Sequence, residues 1–473
     1  MRLLFAFIPA LLLVCATAQA QTHDHSMPGM DMPAPTKPAP AAPESPKPAA
    51  KDDDDMAGMD MSGHDMKGMA GMDMSAHGMG AMAMAGALGD YPMTQDGSGT
   101  SWQPSSAPHE GIHGAYGPWS LMLHGDGTLV YDDQGGPRGQ TKTFFESMLM
   151  GMASRSLDGG ELTLHGMVSL DPTMGKAGYP LLLQTGETAD GKTPLIDRQH
   201  PHDFIDELSV SYSHPISPSP FGALGGFVYG GYPGEPALGP TTYMHRFSGM
   251  ALPEAPIDHH WLDSTHVTFG VVTAGLVLGN VLKLEVSDFT GREPDEHRWN
   301  FDPARFDSAS WRLTWNPTRD LSMQVSQGWL HSPEQLEPDV SQRRTTASVT
   351  YNRAYAGGNW QTTAAWGQNV NMPGRRLDAV LLESSATFGP HTVFGRAEQA
   401  DKDELFEAPD PLAGRSFRVG KLSLGYAYAI PASTHFVIDL GGLFSLYDLP
   451  FALEPAYGRD PRSFMLFTRV RLR

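Results

Sequence analysis

From Trp119 to its final residues the chain alternates apolar and polar side chains with a period of two. Beyond residue 20 it contains no apolar run of about 18 residues, the length a membrane-spanning helix needs. Leu282, Leu284 and Val286 lie on one face of such a segment and Lys283, Glu285 and Ser287 on the other. Trp311, Leu313 and Trp315 oppose Ser310, Arg312 and Thr314 in the same way, and Leu422, Leu424, Tyr426, Tyr428 and Ile430 oppose Lys421, Ser423, Gly425, Ala427 and Ala429. Near the C-terminus Phe464, Leu466, Val470 and Leu472 oppose Arg469, Arg471 and Arg473. Segments of roughly ten residues, apolar on one side and polar on the other, are the pattern of strands that face lipid outward and a polar lumen inward. A chain of this kind enters a membrane only as a closed barrel, where every backbone group is paired.

The spacing of turn signals is an independent test. It divides the chain into about sixteen strands, beginning near residues 119, 142, 160, 205, 221, 265, 280, 308, 321, 345, 359, 379, 392, 417, 435 and 463. Short turns at 156–159, 215–220, 276–279, 316–320, 356–357, 389–391 and 431–434 alternate with longer connections. The longer ones are at 132–141, 171–204, 232–264, 290–307, 330–344, 369–378, 401–416 and 448–462. Outer-membrane barrels have short periplasmic turns and long external loops, whereas a soluble β-sandwich has no reason to keep the alternation. The expected fold is therefore all-β, an antiparallel transmembrane barrel of about sixteen strands over 118–473 in the outer membrane, its outer face against lipid.

The N-terminal part reads differently. Arg2, the apolar run Leu3–Val14 and Ala18-Gln19-Ala20 form an export signal over 1–20. The single cysteine, Cys15, lies within it, so the exported chain is expected to use neither disulfides nor thiolate ligands. Residues 21–117 lack apolar periodicity and are expected to be a disordered periplasmic tail. The formal net charge of −20 argues against a nucleic-acid partner. There is no G-x-S-x-G elbow, phosphate-binding glycine loop or H-E-x-x-H pair, so neither an enzyme nor an organic cofactor is expected.

The tail has a specific chemistry. Thirteen of the 26 methionines lie between residues 27 and 84: Met27, Met30, Met32, Met56, Met59, Met61, Met66, Met69, Met72, Met74, Met79, Met82 and Met84. His23, His25, His64 and His77 are interleaved with them, as are several aspartates. Thioether sulfur selects Cu(I) or Ag(I), while imidazole and carboxylate suit Cu(II). Copper is therefore the expected ligand of the tail. Further histidines crowd the long loops: His200 and His202 within DRQHPHDF, then His245, His259 and His260, with Met244, Met250, Asp258, Asp263 and His266 beside them. Glu293, Asp295, Glu296, His297 and Asp302 fill the next loop. These are candidates for a metal-coordinating constriction at the barrel mouth, or for a polar network that holds an inward-folded loop.

The repeats M-x-G-M-D-M within Met27–Met32 and Met56–Met84, ahead of a C-terminal barrel, resemble the copper-resistance protein B family. DRQHPHDF and the stretch from MHRFSGM to PEAPIDHHWLDSTH look like a separate branch of barrels from metal-resistance neighbourhoods. The resemblance implies a role in copper binding, tolerance or export, alongside a periplasmic multicopper oxidase or copper carrier. Two alternatives stand beside it: a porin, general or solute-specific, with a spacer tail, and a barrel hydrolase using loop His and Asp.

Overall fold

A computed structural model describes residues 85–473. The export signal and all seventeen candidate ligands of the tail, from His23 to Met84, lie outside the described residues.

The strands in chain order are β1 (Ala85–Gly86), β2 (Gly89–Pro92), β3 (Ile112–Tyr116), β4 (Trp119–Gln134), β5 (Thr141–Leu157), β6 (Gly160–Val168), β7 (Tyr179–Thr188) and β8 (Pro194–Gln199). Next come β9 (Ile205–Ser217), β10 (Leu224–Gly231), β11 (Val271–Leu278), β12 (Leu282–Phe289), β13 (Ser308–Thr318), β14 (Leu321–Leu330) and β15 (Ser341–Tyr355). The last six are β16 (Gly358–Met372), β17 (Arg376–Phe388), β18 (His391–Lys402), β19 (Phe417–Pro431), β20 (Phe436–Asp448) and β21 (Arg462–Leu472).

β4–β6 and β9–β21 form a closed antiparallel barrel of sixteen strands, as the turn spacing predicts. Closure is made by β21 on β4, with Ser463 opposite Gln134 and Arg471 opposite Asp126. The short strand β3 continues that edge, pairing with β4 from Trp119 to Leu123. Parity holds along the wall. Lys283, Glu285, Arg312 and Lys421 are buried inward, while Leu284, Val286, Leu424 and Leu466 are exposed on the outside. Aromatic residues such as Tyr116, Trp315 and Phe436 mark the rim of short turns, and Tyr131, Trp329 and Phe464 the opposite rim. An apolar band between two aromatic girdles identifies a transmembrane barrel of the outer-membrane type.

Three expectations are corrected. Residues 369–378 are not a long loop: β16 and β17 run on to a three-residue turn at Pro373–Arg375. Asn369, Asn371 and Arg376 look loop-like only because a strand projecting beyond lipid has no need of an apolar face. Residues 265–270 stay with the preceding loop, and β11 starts at Val271. Most important, residues 85–117 are ordered. They form the β1–β2 hairpin, a 3-10 turn at Met93–Gln95, an extended passage through the lumen and then β3.

Leu88, Tyr91 and Trp102 of that passage pack on Phe227, Val277 and Phe289 of the barrel interior. Its polar groups are satisfied by the wall: Arg312 Nη2 donates to Thr100 Oγ1 at 2.9 Å, and Asn352 Nδ2 donates to the Ser106 carbonyl at 2.7 Å. Lys283 donates to the Thr100 carbonyl and lies 4.8 Å from the Trp102 ring. The wall supplies the apolar surface, so the segment needs no periodicity of its own.

Two of the long connections also fold inward. The β7–β8 hairpin buries Tyr179 and Leu181 against Phe144, Val130 and Met465, and the connection 232–270 is buried for most of its length. The lumen is thus filled from both ends.

Candidate functional site: a histidine cluster inside the barrel

The two inward connections bring together histidines far apart in sequence. His200 and His202 follow β8, where Pro201 keeps the backbone extended between them. His259 and His260 start a single helical turn, α1 (His259–Leu262), and His266 ends the next 3-10 turn. Their rings form one continuous chain. Centroid separations are 6.1 Å for His200–His260, 5.7 Å for His260–His259, 5.2 Å for His259–His266 and 5.1 Å for His266–His202. Four of the five loop histidines singled out in the sequence therefore converge. His245 does not: it lines a separate cavity beside Met244 and Met250. His266, named above only as a neighbour, completes the chain.

Four of the five rings are oriented by a defined partner. His259 Nδ1 donates to Asp263 at 2.7 Å and His202 Nδ1 to Asp171 at 2.9 Å. His266 Nδ1 donates to the Asp263 carbonyl at 2.8 Å, and His200 Nδ1 faces the Pro201 carbonyl at 3.3 Å. In neutral His200 and His266 the lone pair is therefore on Nε2. Those two atoms and Nε2 of His260 are buried without a hydrogen-bond partner. His200 Nε2 also faces Glu187 Oε1 at 3.4 Å, a contact between two acceptors that a cation would relieve. Glu187 is aimed there by a distorted hairpin, with Leu183 at φ 73° and Glu187 at φ 59°, conformations costly for non-glycine residues.

Carboxylates surround the rings. The ligand-capable atoms of His260, Glu293 and Glu334 lie within 4.8 Å of one another. Glu293 also accepts from Ser264 at 2.9 Å, and Arg298 pairs with Asp203 at 3.3 Å and with Glu187, so the 290–307 loop joins the same network. Arg246 pairs with Asp263 at 2.9 Å within the 232–270 connection and anchors it to the wall through Glu383 on β17.

Protonation divides the histidines. Burial, reinforced by the neighbouring imidazoles, pushes His200 down to about 3 and His260 and His266 well below the usual imidazole range. For His202 burial acts the same way but is outweighed by the Asp171 hydrogen bond and the Asp206 charge, which hold it at about 9. Burial raises Glu293 and Glu334. The arrangement offers neutral imidazole nitrogens beside carboxylates in a dry site, a donor set for a borderline divalent cation.

One further group carries no mark in a reading confined to the tail and loops. Met148, Met150 and Met152 alternate along β5, so strand parity puts all three thioethers on one face. They point into the lumen and join a buried cluster with Met93, Met122 and Met167.

No family model and no curated protein matches the sequence. Among solved structures the chain is similar to an anion-selective porin from Comamonas acidovorans (11% identity, 75% of this chain and 99% of that one, TM-score 0.45). It is also similar to Salmonella typhi OmpF in a complex with daunomycin (7%, 76% and 100%, TM-score 0.47) and to Pseudomonas putida OprB (8%, 75% and 94%, TM-score 0.46).

Proposed function

We propose that this outer-membrane barrel handles copper, binding Cu(II) at the lumenal histidine cluster and capturing copper in the periplasm with its N-terminal tail. The observation that carries the reading is the convergence of five histidines from two distant connections, three of them with a buried, unpartnered Nε2. An unsatisfied buried polar atom costs about 1–3 kcal/mol, and a bound cation would remove that cost at each nitrogen. His260, Glu293 and Glu334 are the nucleus of the site, with His200 and His266 as further nitrogen donors. Imidazole with carboxylate suits Cu(II), and the thioethers of Met27–Met84 suit Cu(I).

The same fold weighs against a general diffusion pore, because polar loops and the segment after the tail fill the lumen. Residues 85–110 begin where the tail ends and meet the histidine-bearing connection directly: Ser101 Oγ is 2.9 Å from Thr241 Oγ1 and Ser98 Oγ donates to Thr242 Oγ1 at 3.1 Å. Copper held by the tail would thus arrive at the periplasmic end of a ligand-lined interior. The tail is also the natural contact for a periplasmic multicopper oxidase or copper carrier.

The test is Cu(II) titration of the full chain and of His200→Ala/His260→Ala, read by bound metal and by the nitrogen hyperfine pattern in electron paramagnetic resonance. The double variant should lose a nitrogen-ligated Cu(II) equivalent, and cells that depend on it should tolerate less copper. Equal Cu(II) content in both proteins would sink the lumenal site.

A further inference from the structure

The inward face of β4–β6 carries a grid of soft donors. Strand register sets Met122 opposite Met152, and Met152 opposite His165, in one row. The adjacent row places His124 opposite Met150, and Met150 opposite Met167. Directly paired residues on one sheet face have Cβ atoms about 5 Å apart, so the flexible thioethers of each row can reach a common point.

The N-terminal segment and the 232–270 connection cover this grid and add ligands of the same type. His109 Nε2 lies 2.9 Å from Met122 Sδ. One cavity is lined by Met93, Met122, Met150, Met152, His109 and His165. A neighbouring cavity of about 140 Å³ is lined by Met150, Met244, Met250, His109, His124 and His245. A third shares Met244 and Met250 and reaches His202, so the grid adjoins the histidine cluster.

Methionine commonly fills gaps in apolar cores. Apolar filling, however, needs no imidazole against a thioether, and leucine would serve as well. Burial, with the nearby imidazoles, keeps His109 down at about 4 and His245 at about 3, so both are neutral donors at pH 7. His165 is oriented as a metal ligand commonly is, its Nδ1 held by Glu207 at 2.8 Å. That carboxylate is already engaged, accepting from Ser209 at 2.6 Å and Tyr229 at 2.9 Å.

We infer that the lumenal face of β4–β6, closed over by His109 and His245, is a binding site for a soft monovalent cation, Cu(I) or Ag(I). The donors are thioether sulfur and the neutral imidazole nitrogens of His109 and His245, a set that favours soft ions over Ca²⁺, Mg²⁺ or Zn²⁺. The inference extends the copper reading but uses different residues and a different oxidation state from the histidine cluster, so the two can fail separately.

The test uses Ag(I), supplied as the nitrate in chloride-free buffer, and the full chain in detergent with ¹³C-methyl methionine. Met122→Leu/Met150→Leu/Met167→Leu keeps side-chain volume, and its folding is checked by the heat-dependent gel mobility of barrels. The triple variant should bind one Ag(I) fewer than the parent while its Cu(II) binding is unchanged. In the parent, Ag(I) should shift the Met122 and Met150 methyl signals, a reading that holds even if the triple variant does not fold. Equal Ag(I) content in a folded variant, or unshifted Met122 and Met150 signals in the parent, overturns the site. His200→Ala/His260→Ala should lose Cu(II) and keep this Ag(I), so failure of one site is read apart from failure of the other.

Discussion

Gly186 is where the histidine cluster depends on a missing side chain. Its φ is +112°, and a Cβ there would stand 1.9 Å from Cε1 of His260, so any larger residue must displace the ring. Gly186→Ala should weaken Cu(II) binding about 10–100-fold, the usual effect of disturbing what orients a metal ligand. Isothermal titration would measure it, and unchanged affinity would show that His260 is not a ligand. Proton linkage gives a second prediction at this scale. Burial depresses His200, His260 and His266 in the folded protein, so the released state binds more protons below about pH 6.5. Stability from these three is present above about pH 6.5 and is lost as pH falls below it. His202, held at about 9, has the opposite sign: its contribution is complete below about 6.5 and is lost as pH rises through 9. Three groups outweigh one on the acid side. Metal-free protein should therefore expose the 232–270 connection to protease below pH 6.5, and a cleavage rate flat from pH 7.5 to 5 would contradict this.

Among the elements, the strands were legible and the connections were not, for one physical reason. Each strand separates lipid from lumen, so its environment is written into every second residue, as in Leu282–Ser287. The 232–270 connection meets a wall assembled from strands between β12 and β21, and nothing local records which residue of that wall it will meet. Hence His259 and His260 were recognisable as ligand types, but their union with His200 was not, nor was the departure of His245. Met148, Met150 and Met152 are legible by parity alone, because strand phase places every second residue of β5 on the lumenal face. The connection is held by Arg246, buried between Asp263 and Glu383, with Arg396 on the far side of Glu383 at 3.1 Å. Removing one partner of a buried ionic network leaves its charges uncompensated, at about 3–5 kcal/mol. Arg246→Ala should release the connection from the wall. Single-channel recordings in planar bilayers should then show a larger conductance than the parent, and identical conductance would mean that other contacts hold the loop.

For the molecule as a whole, residues 85–117 belong with the barrel they fill. The segment from Ala85 to His109 supplies Tyr91, Trp102 and the Thr100 carbonyl to the lumen, where Lys283, Arg312 and Glu285 are otherwise buried charges of the wall. Like the tail before it, it lacks apolar periodicity, so periodicity alone merges a ligand-bearing arm with a structural insert. Deleting 21–84 should lower copper tolerance while leaving heat-dependent gel mobility and conductance unchanged, because no part of the insert is removed. Deleting 21–110 should also hydrate Lys283, Glu285 and Arg312, lower the thermal midpoint and raise conductance, since the short-turn half of the lumen loses its filling. It would further remove His109 and Met93 from the thioether grid, so the Ag(I)-induced shifts of the Met122 and Met150 methyl signals should weaken with the second deletion and persist with the first. Equal conductance in the two deletions would mean that the external connections close the barrel unaided, and residues 85–110 would then be an arm that docks without gating.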